Sequence, residues 1–485
     1  MAILLRRTNT IYVTLGILAV SLAAHGAEPI DISNTLEVFV DAHLIESTDR
    51  VDHALHHPVP REFALTFDKP WEGRYCGYVT VIEDGGQSRI YYRGLPNAGK
   101  DGTNEEVTCV AESKDGIVFT RPNLGLFESG GNKENNIVLA DAAPFSHNFA
   151  PFLDTRPGCP ADERYKAIAG TSNTGLHGFV SADGYSWTKL DGSLFGHEGE
   201  GFSFDSQNNA FWSESEQVYV CYFRTWRNKV RWISRRTSSN FREWGAMTDM
   251  GYGDVPHEHL YTNQTVPYFR APHIYIAFAA RFMPGRRVVS NAQSEKIGGE
   301  AQYSGDCSDT VFMASRGGGV YDRTFMEGFI RPGVGLNNWT SRTNYPTRGI
   351  IQSSDDVMSI YVQRNYGQTS HKLQRLTLRT DGFASMNAGY TGGEFVTKPL
   401  LFNGEQLTIN FSTSAAGSVW VELQSATGEA IKGFTLDQCD EIIGDEIERV
   451  VTWSGSGDVA ALAGTPVKLR FKMKDADVYS IQFRE

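Results

Sequence analysis

Ser113-Lys114-Asp115-Gly116-Ile117-Val118-Phe119 recurs as Ser181-Ala182-Asp183-Gly184-Tyr185-Ser186-Trp187. A looser copy is Ser315-Arg316-Gly317-Gly318-Gly319-Val320-Tyr321, a shortened one is Thr380-Asp381-Gly382-Phe383, and Ser234 to Phe241 fills the remaining gap in degenerate form. Asp-Gly supplies a turn in which glycine accepts positive φ and the aspartate side chain bonds the turn backbone. The aromatic that follows packs between neighbouring sheets. Five starts, at residues 113, 181, 234, 315 and 380, mark units of about 50–80 residues, the size of a propeller blade built from a few antiparallel strands.

Upstream of each turn the pattern alternates as strands do. Arg89 to Arg93, Val218 to Arg224, Ile274 to Arg281 and Ser359 to Arg364 are strands that end in arginine, whereas Arg164 to Ala169 lacks the terminal one. A further strand precedes each, opening with a polar residue: Asn148, Asn208 (after Gln207), Asn263 and Asn344. In an antiparallel hairpin the start of one strand and the end of its partner lie at the same edge. The asparagines and Arg93, Arg224, Arg281 and Arg364 are therefore expected to ring one mouth of the axis and to bind ligand there.

After residue 396 the alternation continues without the turn unit, in Thr408 to Phe411, Ser418 to Leu423, Val450 to Trp453 and Val467 to Phe471. The expected fold is all-β, a five-bladed β-propeller over residues 27–396 followed by a C-terminal antiparallel β-sandwich over 397–485.

Composition agrees with many short strands joined by tight turns: 12% aromatic residues and 49 glycines in 485 residues. With 57 acidic residues against 45 basic, and no basic run, a nucleic-acid partner is excluded. Arg6 and Arg7 precede an apolar run from Ile11 to Ala24 that ends in small residues, so residues 1–26 read as a signal peptide and the mature chain as periplasmic or secreted, without membrane insertion. The six cysteines form no CxxC pair, and no motif calls for a metal or cofactor.

The loops leading into the inner strands hold the acids that matter for chemistry. Asp205 opens the third unit, Glu258 precedes the fourth, and Glu72 is the counterpart in the first. Glycoside hydrolysis needs two carboxyl groups on opposite sides of a glycosidic bond, one protonated and one ionised. Glu258 is the expected acid and Asp205 the expected base or nucleophile. His147 and His259 are expected to bind sugar hydroxyls or sulfate, and the arginines point to an anionic sugar, because guanidinium binds carboxylate or sulfate bidentately.

The runs Trp71-Glu72-Gly73, Tyr91-Tyr92-Arg93-Gly94, Phe204 to Asn208, Glu258 to Thr265 and Ala271 to Tyr275 resemble a group of exported bacterial proteins, common in planctomycetes, related to glycoside hydrolase families 32 and 43. That resemblance implies a five-bladed propeller, a C-terminal β-sandwich as in family 32, and a glycosidase with three acids in the funnel. The Asn-Asp-Pro-Asn-Gly and Arg-Asp-Pro signatures of family 32 are absent. Three functions stand: a glycoside hydrolase acting on a plant or algal polysaccharide, a non-catalytic carbohydrate-binding propeller, and a sialidase-like hydrolase with a tyrosine nucleophile.

Overall fold

The computed structural model describes residues 28–485; the expected signal peptide lies outside them. Five four-stranded antiparallel sheets form the blades. The first runs Gly77–Asp84, Gln87–Gly94, Val107–Ser113 and Ile137–Leu139; the second Ala150–Leu153, Tyr165–Thr171, Gly175–Ser181 and Thr188–Lys189. The third comprises Asn209–Ser213, Val218–Arg227, Val230–Ser238 and Thr248–Asp249, and the fourth Val266–Tyr268, Ala271–Met283, Cys307–Ser315 and Gly328–Ile330. The fifth takes Ile351–Ser354, Val357–Arg364 and Lys372–Arg379 from late in the chain, and its outer strand, Val59–Thr66, from before the first blade. That loan closes the ring.

The repeated turn follows the third strand of each blade. In the first two copies the serine hydroxyl bonds both the aspartate side chain and the glycine N–H, and the aspartate accepts the N–H two residues on. Each turn is then inserted against the neighbouring blade. A Cβ on Gly184, which has φ +80°, would sit 2.5 Å from the Tyr91 hydroxyl of the first blade. The Tyr361 hydroxyl of the fifth blade donates to the Gly116 carbonyl. The third copy is Ser238-Ser239-Asn240-Phe241, in which Asn240 replaces aspartate as acceptor and Phe241 occupies the glycine position at φ +65°. Its buried ring packs on Phe152 and Tyr219, which offsets the conformational cost of a non-glycine residue there.

The second module departs from the expected boundaries. One ten-stranded sheet draws Ile30–Ser33, Glu37–Val38, Ile45–Asp49 and Val51–Leu55 from the N-terminal side, and Ala384–Ala388, Gly393–Thr397, Leu400–Phe402, Gln406–Ser425, Asp445–Val450 and Val467–Arg484 from the C-terminal side. The module thus begins before residue 397 and includes residues that the sequence reading gave to the propeller. The cause is topological. Both chain ends leave the propeller at the fifth blade, so the early strands complete their backbone hydrogen bonds on late ones, Ala384–Ala388 on Val51–Leu55 and Gly393–Thr397 on Ile45–Asp49. A single apolar core, including Phe395, Phe411, Val421, Phe471 and Phe483, fills it. Arg316 of the fourth blade clamps Glu37 and Asp41 across the joint.

Candidate functional site

The inner strand of the first blade and the segment leading into that of the fifth meet in a parallel bridge, Thr80 against Arg348. Gln207 donates to Thr80 at 2.7 Å and accepts from Gln264 at 2.7 Å, while the buried Arg348 guanidinium donates to the carbonyls of Pro151 and Ala210. Polar side chains from several blades therefore plug the axis. Above the plug, at the mouth where the inner strands begin, a cavity of about 370 Å³ opens, within the size range of small-molecule sites, roughly 300–1,000 Å³. Each blade contributes one residue at the start of its inner strand or in the segment leading into it: Tyr78, His147, Asp205, Tyr261 and Tyr345. Arg93, Gln363 and Tyr366 come from the ends of second strands and the residues just beyond, and Asp101 and Arg342 from longer loops.

The cavity wall carries a relay of charge. Glu106, fully buried, accepts from His147 Nδ1 at 2.8 Å and from the Gly102 N–H at 2.8 Å. On the other side of the imidazole, Nε2 lies 3.5 Å from Asp205 Oδ1. A carboxylate at each ring nitrogen is satisfied by the doubly protonated ring. Burial opposes that charge, but the bonds to Asp205 and Glu106 overcome it and raise the His147 pKa. Asp205 responds in the opposite sense. Burial works against its ionised form, yet the hydrogen bond from His147 and the charges of Arg224 and Arg342 hold its pKa down to about 2. Arg224 Nη2 stands 3.3 Å from Asp205 Oδ2, and 53% of the Asp205 side chain remains open to the cavity.

Asp101, Glu106 and His147 bring ligand-type atoms within 4.8 Å of one another, a spacing that suits a metal ion. Arg93 Nη1 already supplies a cation to that cluster, 3.6 Å from Asp101, 3.5 Å from Glu106 and 3.1 Å from His147 Nδ1. Three tyrosines of the mouth, Tyr78, Tyr345 and Tyr366, are held protonated. Burial pushes the hydroxyls of Tyr78 and Tyr345 far up, the reverse of what a tyrosine nucleophile needs.

Of the residues singled out from sequence, Asp205, His147 and Arg93 line the cavity, and Arg224 touches it through Asp205. The others lie elsewhere. Glu258 is gripped by Arg281 at 2.9 Å and Arg323 at 2.7 Å, and lines a separate cavity with Arg281. Tyr261, whose N–H bonds the Ala280 carbonyl, takes the inner position that Glu258 was expected to hold. Arg281 is further held by Asp309 at 2.6 Å. Glu72 is 0% exposed and bonded to Arg121 at 2.6 Å and to the Tyr92 hydroxyl at 2.5 Å, an internal tie of the first blade.

The asparagines staple backbone instead of ligand. Asn148 and Asn208 both donate to the carbonyls of Phe204 and Ser206, which fixes the loop that aims Asp205. Asn263 accepts from Asn209 and from the Thr265 N–H. Asn344 donates to Ser308 and Asn338 carbonyls and accepts from Arg364, whose Nε is bonded to Gln374. His259 sits beside Arg231 and the Trp226 ring, and Gln207 belongs to the axial plug.

Asp101, Glu106, Tyr78 and Arg342 escaped the sequence reading. A signal existed in loop length: residues 172–174 join the second and third strands of the second blade, whereas 95–106 do so in the first.

No protein-family model and no curated protein sequence matches the chain. Solved structures similar to it include a glycoside hydrolase, 11% identical over 67% of this chain and 92% of its own, with a TM-score of 0.45. The catalytic domain of the Coprinopsis cinerea GH62 α-L-arabinofuranosidase is 10% identical over 68% of this chain and 98% of its own, at TM-score 0.42. An N-acetylgalactosamine deacetylase from F. plautii is 12% identical over 68% and 96%, at TM-score 0.41. The propeller rests on the strand pairing of this chain itself, and the neighbours, which include hydrolases and a deacetylase, assign it no activity.

Proposed function

We propose that the protein is an exported glycosidase acting on a plant or algal oligo- or polysaccharide in the axial cavity, with Asp205 as its ionised carboxylate. The observation that supports this reading is the setting of Asp205, half open to a cavity of sugar-binding size while His147 and Arg224 keep it charged. Such a carboxylate stabilises an oxocarbenium-like transition state or activates water. Cleavage also needs a proton for the leaving oxygen, and Glu258 is committed to Arg281 and Arg323. In this reading Asp101, the other carboxyl group that lines the cavity, takes that role once bound sugar parts it from Arg93 and it takes up a proton. The half-buried Tyr78 ring in the cavity wall suits the apolar face of a pyranose. The relation to families 32 and 43, and export through residues 1–26, belong to the same proposal.

A second reading, glycan binding without turnover, is favoured by the engagement of both Glu258 and Glu72 in internal ion pairs. Sugar release from neutral, uronic-acid and sulfated polysaccharides, compared among wild type, Asp205→Asn and Asp101→Asn, separates the two. Release by wild type that both variants lose is the expected result. Glycan binding with no release by wild type establishes the binding module, and release untouched by Asp205→Asn moves the chemistry out of this cavity.

A further inference from the structure

Arg342 differs from the arginines that surround it. Arg93 is neutralised by Glu106 and Asp101, and Arg224 by Asp205. Arg281 is held by Asp309 and Glu258, and Arg364 donates to Asn344 and Gln374. These are the four guanidinium groups that the sequence pattern offered as anion readers, and all are occupied. Arg342 lines the same cavity, yet among the described residues no carboxylate lies within ion-pair distance of it. Its neighbours are aromatic, with the Tyr303 ring at 5.5 Å and the Tyr366 ring at 6.0 Å.

The backbone shows that this position is imposed. Arg342 has φ +55°, a region in which asparagine or glycine is at ease and a long side chain is not. The Ser341 N–H bonds the Tyr303 carbonyl at 2.8 Å, and Gln363 Nε2 bonds the Arg342 carbonyl at 3.0 Å, so the chain is held in place on both sides. Charge at the mouth is also unbalanced. Arg93, Arg224, Arg342, protonated His147 and Arg231, which is boxed by Trp226, Tyr261 and Phe282, outnumber Asp101, Glu106, Asp205 and the partly buried Asp306, which feels the charges of Arg342 and Arg231 without pairing with either. A partly desolvated cation without a counter-charge in direct contact is costly, and an anionic ligand group relieves that cost.

Resting on the glycan-binding reading above, we propose that Arg342 reads an anionic group of the ligand, so that the sugar bound in the cavity carries a carboxylate or a sulfate, held bidentately by the guanidinium. The net charge of −12 on the whole chain makes this a local preference and not a general attraction for polyanions.

Equilibrium binding by calorimetry tests it with three probes: an oligogalacturonate, a sulfated galactan oligosaccharide and an uncharged galactan oligosaccharide. Wild type is expected to bind one charged probe at least about tenfold more tightly than the uncharged one, and which probe wins separates carboxylate from sulfate. Arg342→Asn, chosen because asparagine tolerates the left-handed backbone, should weaken the favoured probe about 10- to 100-fold and leave the uncharged one within about twofold. Arg342→Lys keeps the charge without the fork and should fall between. Thermal melting of both variants checks folding, and if one unfolds the other carries the test. Equal or undetectable binding of charged and uncharged probes by wild type, or a charge preference that survives in the folded variants, overturns the proposal. Because the readout is binding, loss of preference in Arg342→Asn without any sugar release keeps this subsite and removes the glycosidase, whereas release without charge preference does the reverse.

Discussion

Two acidic corners of the same propeller face can be set side by side. At one, Asp205 meets a single guanidinium at 3.3 Å and an imidazole at 3.5 Å, and about half of its side chain stays open. At the other, Glu258 meets guanidiniums at 2.9 Å and 2.7 Å, one of them also held by Asp309, and 19% of its side chain is exposed. Both acids lie in loops that lead into an inner strand, and both have arginine neighbours. Each acid has a partner on both oxygens, and what separates them is how tightly those partners hold and how much of the carboxylate they cover. A carboxylate gripped closely by two guanidiniums and mostly covered supports the fold, whereas one held ionised by longer contacts and half open can still act on a ligand.

The largest effect that would sharpen this contrast is on turnover. Asp205→Asn should lower kcat on the productive substrate by about 10²- to 10⁴-fold while thermal melting shifts little, and Glu258→Gln should leave kcat within about twofold. Turnover lost in Glu258→Gln with its fold intact would erase the distinction between the two corners.

Next in size is stability. Glu258→Ala strands Arg281 and Arg323 beside a half-buried gap, and chemical denaturation should show a loss of about 2–4 kcal/mol. Asp205→Ala, at a corner open to solvent, should cost clearly less; an equal loss would mean that Asp205 is also a structural tie.

The finest effect is on titration. The folded pKa of Asp205, about 2, lies below its ordinary 3.8, so its contribution to stability is full above about pH 4 and is lost as pH falls toward 2. His147 is shifted the other way. Its contribution is full below its ordinary 6.5 and is lost as pH rises through the higher folded value. In Asp205→Asn the His147 titration, followed by NMR of the imidazole, should move downward because one of its two acceptors is gone. No movement would mean that Glu106 alone holds the proton.

The propeller was legible because its defining element is local. Serine, aspartate and glycine of one turn bond one another within three residues, so the motif is written in consecutive letters. Even the degenerate third copy kept its aromatic, with Phe241 taking over the glycine slot. The site was only partly legible. Asp205 and His147 sit in the short segments that lead into an inner strand, and strand alternation locates where that strand begins. Glu258 read the same way, but its partner Arg323 lies 65 residues later in the chain, and nothing near Glu258 announces it. Arg342 and Asp101 come from loops without periodicity, where position relative to the axis depends on the path of the whole blade.

The ten-stranded sheet has a consequence for synthesis. Strands between Ile30 and Leu55 find their partners only in residues 384–484, and the outer strand of the fifth blade, Val59–Thr66, waits for Lys372–Arg379. A chain emerging from the N-terminal end must therefore carry open strand edges through the making of four blades, exposed to pairing with other chains, until its last hundred residues fasten them like a clasp. Such a protein is slow to become safe, and a shortened version that ends before the clasp would leave its first strands as an invitation to aggregate.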